Sequence, residues 1–367
     1  MKKYGLITIH KAINHGAVLQ ALATQKAFSK CSCSVTIINY SPPYIREDAK
    51  AIRRDKGVAV RVLDFFSGRK KKVENFFQFI ENNLSLTEEM YTSQEIAERT
   101  ILYDGFISGS DQIWNPQVTG GILETAYFCD FAMTGKNVIS YASSLGDRIY
   151  FSEDQQKTIQ AQLTRFSHIS VREKSGAEWL KEKFNINAEE VVDPTLLLDA
   201  KDWESFIEQS KLKIESPYIF VYSVGRTKEL IEYALHVQKA LGIKIVVSNS
   251  IMKYPYKNVK YISEDSPEDF LMLIAKAALV ITSSYHGTLF SVNFNVPFLS
   301  LPASNITSNR SSEILDALGL GECFITYDTE FSPSMLQIDW SVVNNRINTL
   351  RDKSYRYIKN SIGDQND

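Results

Sequence analysis

The sequence predicts an α/β protein made of two doubly wound halves, each a parallel sheet covered by helices. Two observations predict this class. Short apolar runs alternate with stretches whose apolar residues recur at helical spacing, which is typical of parallel strands joined by crossover helices. The chain is also 367 residues long, which exceeds one ordinary hydrophobic core and suits about two domains. We expect the halves to meet near residues 200–215.

The first half, residues 1–205, opens with a strand, a polar loop, a helix and a second strand, which is the start of a βαβ unit. The alternation resumes after an interruption and continues to a short apolar run at 191–192. Strands are predicted at 4–9, 35–40, 103–108, 137–142 and 168–171, and helices at 17–28, at 154–166 and after 172.

The second half, residues 206–340, repeats the pattern and is followed by a C-terminal helix and tail at 341–367. Gly242 predicts the end of one helix, because glycine accepts the left-handed conformation that follows a helix. Ser266 and Pro267 predict the start of another helix. Strands are predicted at 218–223, 244–248, 279–282 and 298–301, and helices at 227–241, from 266 and at 289–293.

Residues 42–100 interrupt the alternation and indicate a basic, partly helical insertion in the first half. Between Arg46 and Lys72, ten basic residues stand against four acidic ones, a net charge of +6 in a chain whose net charge is −2. This charge is consistent with a surface that contacts the anionic inner membrane. The alternative is a solvated insertion whose aromatic residues join the core. The aromatic residues concerned are Phe65, Phe66, Phe76 and Phe77.

Composition excludes several classes of protein. A net charge of −2 argues against a general nucleic-acid binder. The apolar run after Met1 is too short for a signal peptide, and no run reaches the ~18 residues of a membrane span. We therefore expect a cytoplasmic protein with free thiols at Cys31, Cys33, Cys129 and Cys323. No Walker, GxGxxG, HExxH or GxSxG pattern and no metal-ligand spacing is present, so no metal or cofactor is expected.

Polar clusters follow the predicted strands at 14–16, 109–115, 143–144, 172–174 and 283–288. In open α/β sheets, ligands bind beyond the carboxyl ends of the strands. Each cluster alone also fits an ordinary turn. Their repeated position after strands predicts a shared cleft.

The cluster at 283–288 carries the strongest signal. A strand, a loop of small residues and a helix start form an anion site, because free N–H groups and the positive end of the helix point at the ligand. Gly287 allows close approach of the backbone, and Thr288 adds a hydroxyl. His286 brings a group that titrates near neutrality. The alternative is a histidine that caps its helix or packs.

Three further residues are candidates for binding or catalysis. Arg172 suits a bidentate clamp for a carboxylate or phosphate, although a surface salt bridge to Glu173 or Glu178 explains it equally. Arg310 is a second cation in a polar loop. Asp111 suits a base or a group that holds hydroxyls, or it caps the turn that follows.

Together these motifs resemble the polysaccharide pyruvyl transferase family. The matching stretches are 14–20 (NHGAVLQ), 109–115 (GSDQIWN), 170–173 (SVRE), 193–195 (DPT) and 282–290 (TSSYHGTLF). The resemblance implies two Rossmann-like domains facing a cleft, as in GT-B glycosyltransferases. It also implies transfer of pyruvate from phosphoenolpyruvate to a pair of sugar hydroxyls, as a cyclic ketal, in surface or capsular polysaccharide biosynthesis. The family's catalytic histidine and arginine match His286 and Arg172.

The chain departs from the family at one position. Many members carry Arg-Leu before the His-Gly pair, where this chain has Ser284 and Tyr285, so one cation near the donor is either absent or replaced by Arg310 or Lys174. The predicted catalytic residues are His286, Arg172 and Asp111; the predicted donor-binding residues are Ser284, Tyr285, Gly287, Thr288, Arg310 and Lys174; the predicted acceptor-binding residues are Asn14, His15, Gly16, Ser110, Gln112, Trp114, Asn115 and Ser144.

The expected partners are phosphoenolpyruvate and a sugar acceptor, with a lipid diphosphate as the candidate carrier of that sugar. Neither nucleic acid nor a metal is expected to take part. One alternative is a nucleotide-sugar glycosyltransferase on the same fold, which would need a carboxylate-bearing pocket near the His286 loop. A second alternative is a non-catalytic assembly factor of a glycan-synthesis complex.

Overall fold

The computed structural model describes residues 1–53, 57–146, 150–248, 253–303 and 309–363, with the side chains of residues 59, 63, 66 and 309 excepted. The chain forms two compact units. The first comprises Met1–Ala49, Gln78–Leu197 and Thr349–Asp367, and the second comprises Lys50–Phe77 and Leu198–Asn348. Both units are α/β with parallel strands, which confirms the predicted fold class.

The strands of the described residues lie close to the predicted positions, except for those at 189–190 and 259–262, which were not predicted. They are β1 (Lys2–Ile7), β2 (Cys33–Ile37), β3 (Gly105–Ser108), β4 (Asn137–Ser140), β5 (Ser170–Val171), β6 (Glu189–Glu190), β7 (Tyr218–Tyr222), β8 (Lys244–Ser248), β9 (Val259–Ile262), β10 (Leu279–Thr282) and β11 (Phe298–Ser300).

Helices join most of the successive strands outside the basic segment. They are α1 (His15–Lys30), α2 (Pro43–Asp48), α3 (Val58–Phe66), α4 (Arg69–Asn83), α5 (Ser93–Arg99), α6 (Glu153–Leu163), α7 (Lys174–Phe184), α8 (Pro194–Leu197), α9 (Ala200–Gln209), α10 (Thr227–Leu241), α11 (Pro267–Ala275), α12 (Tyr285–Asn293), α13 (Asn309–Leu318) and α14 (Trp340–Ile362). Within the described ranges, none of them combines the length and the apolar character that a membrane span requires.

The sheet of the first unit has the strand order β2-β1-β3-β4, and all its pairs are parallel. Single bridges from Ile139 to His168 and from Ser143 to Val171 continue it towards β5. The chain leaves β1 on one side to form β2 and returns on the other side to form β3. The order therefore reverses between β1 and β3, which is where ligands bind in sheets of this kind.

The sheet of the second unit has the order β11-β10-β7-β8-β9, so its reversal lies between β7 and β10. These two strands end level with one another, because Tyr222 pairs with Thr282. Every residue of both strands is buried. Continuous apolar runs of this kind are expected where helices cover both faces of a parallel sheet.

Lys50–Phe77 of the basic segment belongs to the second unit, whereas the sequence placed the whole insertion, 42–100, in the first half. The side chain of Lys72 is buried, and its Nζ lies 3.1 Å from Oδ1 of Asp265, which is fully buried. This ion pair joins residues 193 positions apart, which local sequence cannot reveal. Arg54, Lys56 and the Phe66 side chain, which the sequence assigned to the basic surface, lie outside the described residues.

The C-terminal helix α14 also divides differently from the predicted boundary at 341. It starts in the second unit, and from Thr349 onwards it belongs to the first. There Arg351 Nε donates to the carbonyl of Leu196, and the Tyr355 hydroxyl donates to that of Leu197. The part of the helix from Thr349 onwards therefore belongs to the first unit, and the part before it to the second.

Candidate active site

The polar cluster of the second unit lies at the reversal between β7 and β10. The loops that follow the two strands are joined by hydrogen bonds: the backbone N–H of Val224 donates to Ser283 Oγ at 3.1 Å, and that hydroxyl donates to the carbonyl of Gly225 at 3.2 Å. A Cβ on Gly225 would lie 2.4 Å from the carbonyl oxygen of Ala303, so only glycine fits there. These contacts hold the two loops together at the carboxyl edge of the sheet.

Helix α12 begins directly after β10 and carries His286 in its first turn. Ser284 is the N-cap, and its Oγ accepts from the N–H of Gly287 at 3.2 Å. The predicted helix began only at 289, so the structure extends it back through the whole motif. The imidazole of His286 meets the Tyr285 ring edge to face, with centroids 5.4 Å apart. A titratable ring therefore stands at the positive end of a helix at the reversal point.

Gly287 and Thr288 serve the packing of α12 rather than a ligand. A Cβ on Gly287 would lie 2.5 Å from Thr282 Oγ1, so glycine is needed for the helix to sit against the end of β10. Thr288 is fully buried; its Oγ1 donates to the carbonyl of Ser284 at 3.1 Å and lies 2.9 Å from Ser300 Oγ. The prediction that the hydroxyl of Thr288 contacts the donor does not fit these contacts.

Of the two cations predicted to replace the missing arginine, Arg310 lies beside the motif. Its guanidinium carbon stands 5.6 Å from the centroid of the Tyr285 ring, a cation–π contact. Lys174 belongs to the first unit, where its side chain is two-thirds exposed and its Nζ lies 3.6 Å from Glu178. The structure therefore brings Arg310, Tyr285 and His286 together within the second unit.

The second polar cluster lies in the first unit, where the ends of β3, β4 and β5 are joined by single bridges. Asp111 pairs with Ser143, and Ser143 pairs with Val171. The N–H of Ser144 donates to the carbonyl of Asp111 at 2.9 Å, and the N–H of Arg172 donates to that of Ser143 at 3.3 Å. Three residues that the sequence nominated from separate motifs thus lie on adjacent strand ends.

The guanidinium of Arg172 is enclosed by carboxylates. Its Nε donates to Glu173 Oε1 at 2.9 Å and one terminal nitrogen donates to Asp193 Oδ2 at 2.8 Å, while Asp111 Oδ1 lies 3.8 Å away. The exposed fractions of the carboxylates are 15% for Asp111, 3% for Glu173 and zero for Asp193, and the arginine side chain has none. Asp111 is therefore the acid of this cluster that a ligand can reach.

Glu173 and Asp193 were not nominated as site residues. Ser144 Oγ donates to Glu173 Oε1 at 2.9 Å, and both the N–H and the hydroxyl of Thr195 donate to Asp193 Oδ1, at 2.9 and 2.7 Å. Ser144 is fully buried, so it supports this network. The available signal was the family-like stretch 193–195, which the sequence left without a role. The salt bridge that Arg172 forms with Glu173 is buried, not on the surface.

Several predicted acceptor-binding residues instead build the loop after β3. Trp114 is fully buried, stacks on Phe128 with centroids 5.1 Å apart, and donates from Nε1 to Ser108 Oγ at 3.2 Å. Ser110 is buried and donates to the carbonyl of Ala142. The prediction that Trp114 and Ser110 contact an acceptor does not fit these positions, because neither side chain reaches solvent.

Gln112 and Asn115 lie at the rim of the same loop. Asn115 Nδ2 donates to Gln112 Oε1 at 2.9 Å, and the carboxylate of Asp111 accepts from the N–H of Gln112 at 2.8 Å. Asp111 has a φ of 73°, in the left-handed region that aspartate tolerates better than most residues. The carboxylate and the half-buried Gln112 therefore form the accessible polar part of this loop.

The loop after β1 carries the last predicted group. Asn14 is exposed and caps α1, with its Oδ1 accepting from the N–H of Ala17 at 3.2 Å. His15 and Gly16 are buried in the first turn of that helix. Asn14 is thus the accessible member of the three. In the described part of the chain, no group of three or more His, Cys, Asp or Glu side chains could hold a metal ion.

Several solved structures resemble the fold at low sequence identity. A protein from Listeria monocytogenes assigned as a UDP-N-acetylglucosamine 2-epimerase aligns over 97% of this chain and 90% of its own, with 12% identity and a TM-score of 0.52. The UDP-GlcNAc 2-epimerase from Neisseria meningitidis, bound to UDP-GlcNAc, aligns over 98% and 94%, with 10% identity and a TM-score of 0.50. The glycosyltransferase SnogD from Streptomyces nogalater aligns over 99% and 98%, with 11% identity and a TM-score of 0.44.

The likeness to the two epimerases concerns the fold alone, and it confirms two Rossmann-like domains of the GT-B class. No curated protein sequence matches the chain.

A family model gives the more specific result. The model of the polysaccharide pyruvyl transferases matches residues 14–305, which is most of the chain. The matched range contains both polar clusters, with Asp111 and Arg172 in the first unit and His286 in the second. The resemblance inferred from the motifs is thereby confirmed, and the chain belongs to the polysaccharide pyruvyl transferase family.

Proposed function

We propose that this protein transfers a pyruvyl group from phosphoenolpyruvate to two hydroxyls of a sugar, forming a cyclic ketal in polysaccharide biosynthesis. Family membership supports pyruvylation of a polysaccharide. The observation that carries the finer proposal is the position of His286, in the first turn of α12 at the reversal between β7 and β10. Ligands of open α/β sheets bind at such a point, and anions bind at helix N-termini.

We assign phosphoenolpyruvate to the second unit. The donor carries a carboxylate and a phosphate, so it needs cations and N–H groups at the start of a helix. The start of α12 supplies the helix end, and Arg310, held over the Tyr285 ring, supplies a cation. The stretch 282–290 contains no carboxylate, which suits a small anionic donor.

In the proposed reaction, His286 is the general acid. Its proton goes to the methylene carbon of phosphoenolpyruvate, and the cation that develops at the neighbouring carbon is attacked by the first sugar hydroxyl. The carbon–oxygen bond to phosphate then breaks, and the second hydroxyl attacks the same carbon to close the ketal. Asp111 accepts the proton of each attacking hydroxyl and passes it on, so that in sum one proton restores His286 and the other leaves with phosphate. A positioned acid or base contributes about 10²–10⁴-fold to the rate.

We assign the acceptor to the first unit and Asp111 to the hydroxyl groups. Asp111 is the reachable carboxylate of the Arg172 cluster, and carboxylates both orient hydroxyls and accept their protons. The cluster sets three carboxylates against one guanidinium, a local charge of −2 among the side chains described. This negative charge repels a donor that carries several negative charges, whereas it does not repel a neutral sugar.

We therefore assign Arg172 to positioning rather than to clamping the donor. Its guanidinium is fully buried and is engaged by Glu173 and Asp193. In this role it fixes the strand end that carries Asp111 and offsets the charge of the buried acids. We assign the role of donor clamp, which the sequence predicted for Arg172, to Arg310.

The test is phosphate release from phosphoenolpyruvate in the presence of a panel of aryl-linked and lipid-linked sugars, with the products analysed by mass for a ketal. His286→Ala should lose about 10²–10⁴-fold in turnover. The matched control is His236→Ala, because His236 is an exposed histidine on α10 of the same unit. Unchanged turnover of His286→Ala would remove His286 from the reaction.

The nucleotide-sugar alternative is tested by ligand-induced stabilisation. A ligand that binds the folded state raises the temperature of unfolding. Phosphoenolpyruvate should do so, and UDP-GlcNAc should not. The reverse result would favour a glycosyltransferase, and phosphate release with none of the acceptors would favour an assembly factor.

A further inference from the structure

Helix α3 of the basic segment exposes apolar side chains on its outer face. Val58 is 73% exposed, Val62 is 51% exposed and Phe65 is 69% exposed. At 3.6 residues per turn, these three positions fall within an arc of about 60°. A helix on the surface of a globular unit normally turns its apolar side chains inwards, so the exposure of these three calls for an explanation.

The opposite face of α3 is held by ion pairs within the basic segment itself. Asp64 lies on that face, about 130° from the apolar stripe, and its carboxylate is buried. Arg53 holds it with three bonds, from its backbone N–H at 3.1 Å, from Nε at 3.1 Å and from a terminal nitrogen at 2.7 Å, and Arg69 stands 3.9 Å away. These ion pairs tie Asp64 to the residues that flank α3, so a rotation of α3 that buried the stripe would break them.

The surroundings of the stripe are positively charged. Residues 57–72 contain five basic side chains and one acidic side chain, a net charge of +4. Among the basic residues, Arg61 on α3 and Lys70 at the start of α4 are exposed. The adjoining helix is anchored by the buried pair of Lys72 with Asp265 and by Asn75, which donates to the carbonyl of Glu264.

From this geometry we propose that α3 is a membrane-docking helix, which inserts Val58, Val62 and Phe65 into the interface of an anionic bilayer while Arg61 and Lys70 contact the lipid phosphates. Apolar residues beside basic ones are the combination that binds anionic membranes. The surface is narrower than the sequence suggested, because Phe76 is fully buried and Lys72 is paired. The proposal concerns binding and does not depend on the reaction.

The size of the stripe favours a bilayer over a second copy of the chain. Three side chains of this kind bury roughly 400 Å². A stable protein interface needs about 800 Å² from each partner. Insertion into a bilayer needs no complementary partner surface, and the excess of positive charge matches an anionic membrane but repels a second copy of itself.

The test is co-sedimentation of the full chain with vesicles of phosphatidylcholine, alone or in an equal mixture with phosphatidylglycerol. Two double variants are compared: Val62→Ser with Phe65→Ser, and Arg61→Glu with Lys70→Glu. We expect wild type to bind the mixed vesicles, and each variant to lose about tenfold or more in the partition coefficient. The binding should weaken as salt is added, because the charged contribution is screened.

Two control variants make the same kinds of substitution elsewhere on the surface, and they test whether a loss of binding depends on where the substitution lies. Leu102→Ser removes an apolar side chain that is 89% exposed in the first unit, and Lys157→Glu with Lys228→Glu makes the same change of net charge on exposed lysines of other helices. Both controls should bind like wild type. Since the substituted side chains are exposed, thermal unfolding should be unchanged in every variant.

Insertion is read directly from a single labelled cysteine. The four native cysteines are buried, so a polarity-sensitive dye reacts selectively at Val62→Cys or, as control, Leu102→Cys. The dye at position 62 should shift to the blue and be quenched by nitroxide lipids, and the dye at 102 should not. The proposal fails if wild type binds both kinds of vesicle equally, if the Val62/Phe65 variant binds as wild type does, or if gel filtration shows a dimer that this variant dissolves.

Discussion

Arg172 and Asp193 form an ion pair of 2.8 Å in which neither side chain reaches solvent. The arginine stands at the end of β5 and the aspartate lies 21 positions later, directly before α8. Their pairing places a charged contact in the interior of the first unit, beside the carboxylate of Asp111. Breaking a buried pair by removal of one partner leaves an uncompensated charge, which costs far more than the loss of a surface pair.

Arg172→Ala should therefore lower the free energy of unfolding by about 3–5 kcal/mol, because Glu173 and Asp193 would remain buried without a counter-charge. Urea unfolding followed by circular dichroism measures this. Arg99→Ala is the control, because its partner Glu88 is exposed and the loss of this pair should cost no more than about 1 kcal/mol. Full stability of Arg172→Ala with lost turnover would instead assign Arg172 to the donor.

Asp111→Asn, unlike Arg172→Ala, should lower turnover and leave stability nearly unchanged. The carboxylate is partly exposed and stands 3.8 Å from the guanidinium, so stability should change by less than about 1 kcal/mol. Turnover should fall by about 10²–10⁴-fold, because the amide cannot accept a proton from a hydroxyl. Asp154→Asn is the control, since that carboxylate is 95% exposed on α6. Wild-type turnover of Asp111→Asn would exclude Asp111 as the base.

The sequence predicted the fold because its signals are local. The apolar runs of β7 and β10 and the cap at Ser266 are contiguous features of the chain. It also nominated Asp111, Ser144 and Arg172 from separate strand ends, and parallel strands bring such ends to one edge of a sheet.

The contacts that reveal the role of each site residue join positions far apart in the chain, and such contacts cannot be predicted from local sequence. Asp193 meets Arg172 only because β5, β6 and α8 fold back on one another, and Lys72 meets Asp265 across 193 positions. Trp114 looked like a ligand contact because it follows a polar motif, but aromatic stacking on Phe128 places it in the core. An indole carries large apolar area, and burial of that area outweighs its position in a polar stretch.

Gly287→Ala should destabilise the start of α12. The added Cβ would lie 2.5 Å from Thr282 Oγ1, which already donates to the carbonyl of Tyr222 and cannot move freely. Overpacking of this kind costs about 1–3 kcal/mol, measurable as a lower urea midpoint. Gly57→Ala is the control, because nothing lies within 4 Å of a Cβ there. Gly121→Ala does not serve, because Gly121 has a positive φ that alanine disfavours. Unchanged stability with weaker donor binding would return Gly287 to a role in ligand approach.

Lys72→Ala should destabilise the second unit by about 3 kcal/mol or more, because Asp265 would keep its charge in a fully buried position. Ser248 Oγ also donates to Asp265, and that single bond does not replace the ion pair. Lys71→Ala is the matched control, since Lys71 is more than half exposed and should change stability by no more than about 0.5 kcal/mol. A double-mutant cycle with Asp265→Asn measures the interaction energy between the two side chains. If the effects of the two substitutions on stability simply add, Lys72 and Asp265 are not coupled.

Stability at acid pH should depend on Glu89. Hydrogen bonds from Lys11, at 2.6 Å, and from Ser41 and Tyr91 lower the pKa of Glu89 from 4.5 to about 2. Because the folded pKa lies below the unfolded one, the stabilisation is complete above about pH 4.5 and is lost as the pH falls towards about 2. Wild type should therefore lose more stability over this interval than Glu89→Gln, as measured by thermal unfolding at successive pH values.

The control for Glu89 is Glu88→Gln, the neighbouring residue, whose carboxylate is 88% exposed and pairs with the exposed Arg99. This variant should follow the wild-type pH profile, because an exposed ion pair contributes little to the free energy of unfolding. The carboxylate of Glu89 is itself more than one-third exposed, so added salt should reduce its contribution at neutral pH. Parallel pH profiles of wild type and Glu89→Gln would contradict the assignment, since the lowered pKa requires the two curves to converge as the pH falls.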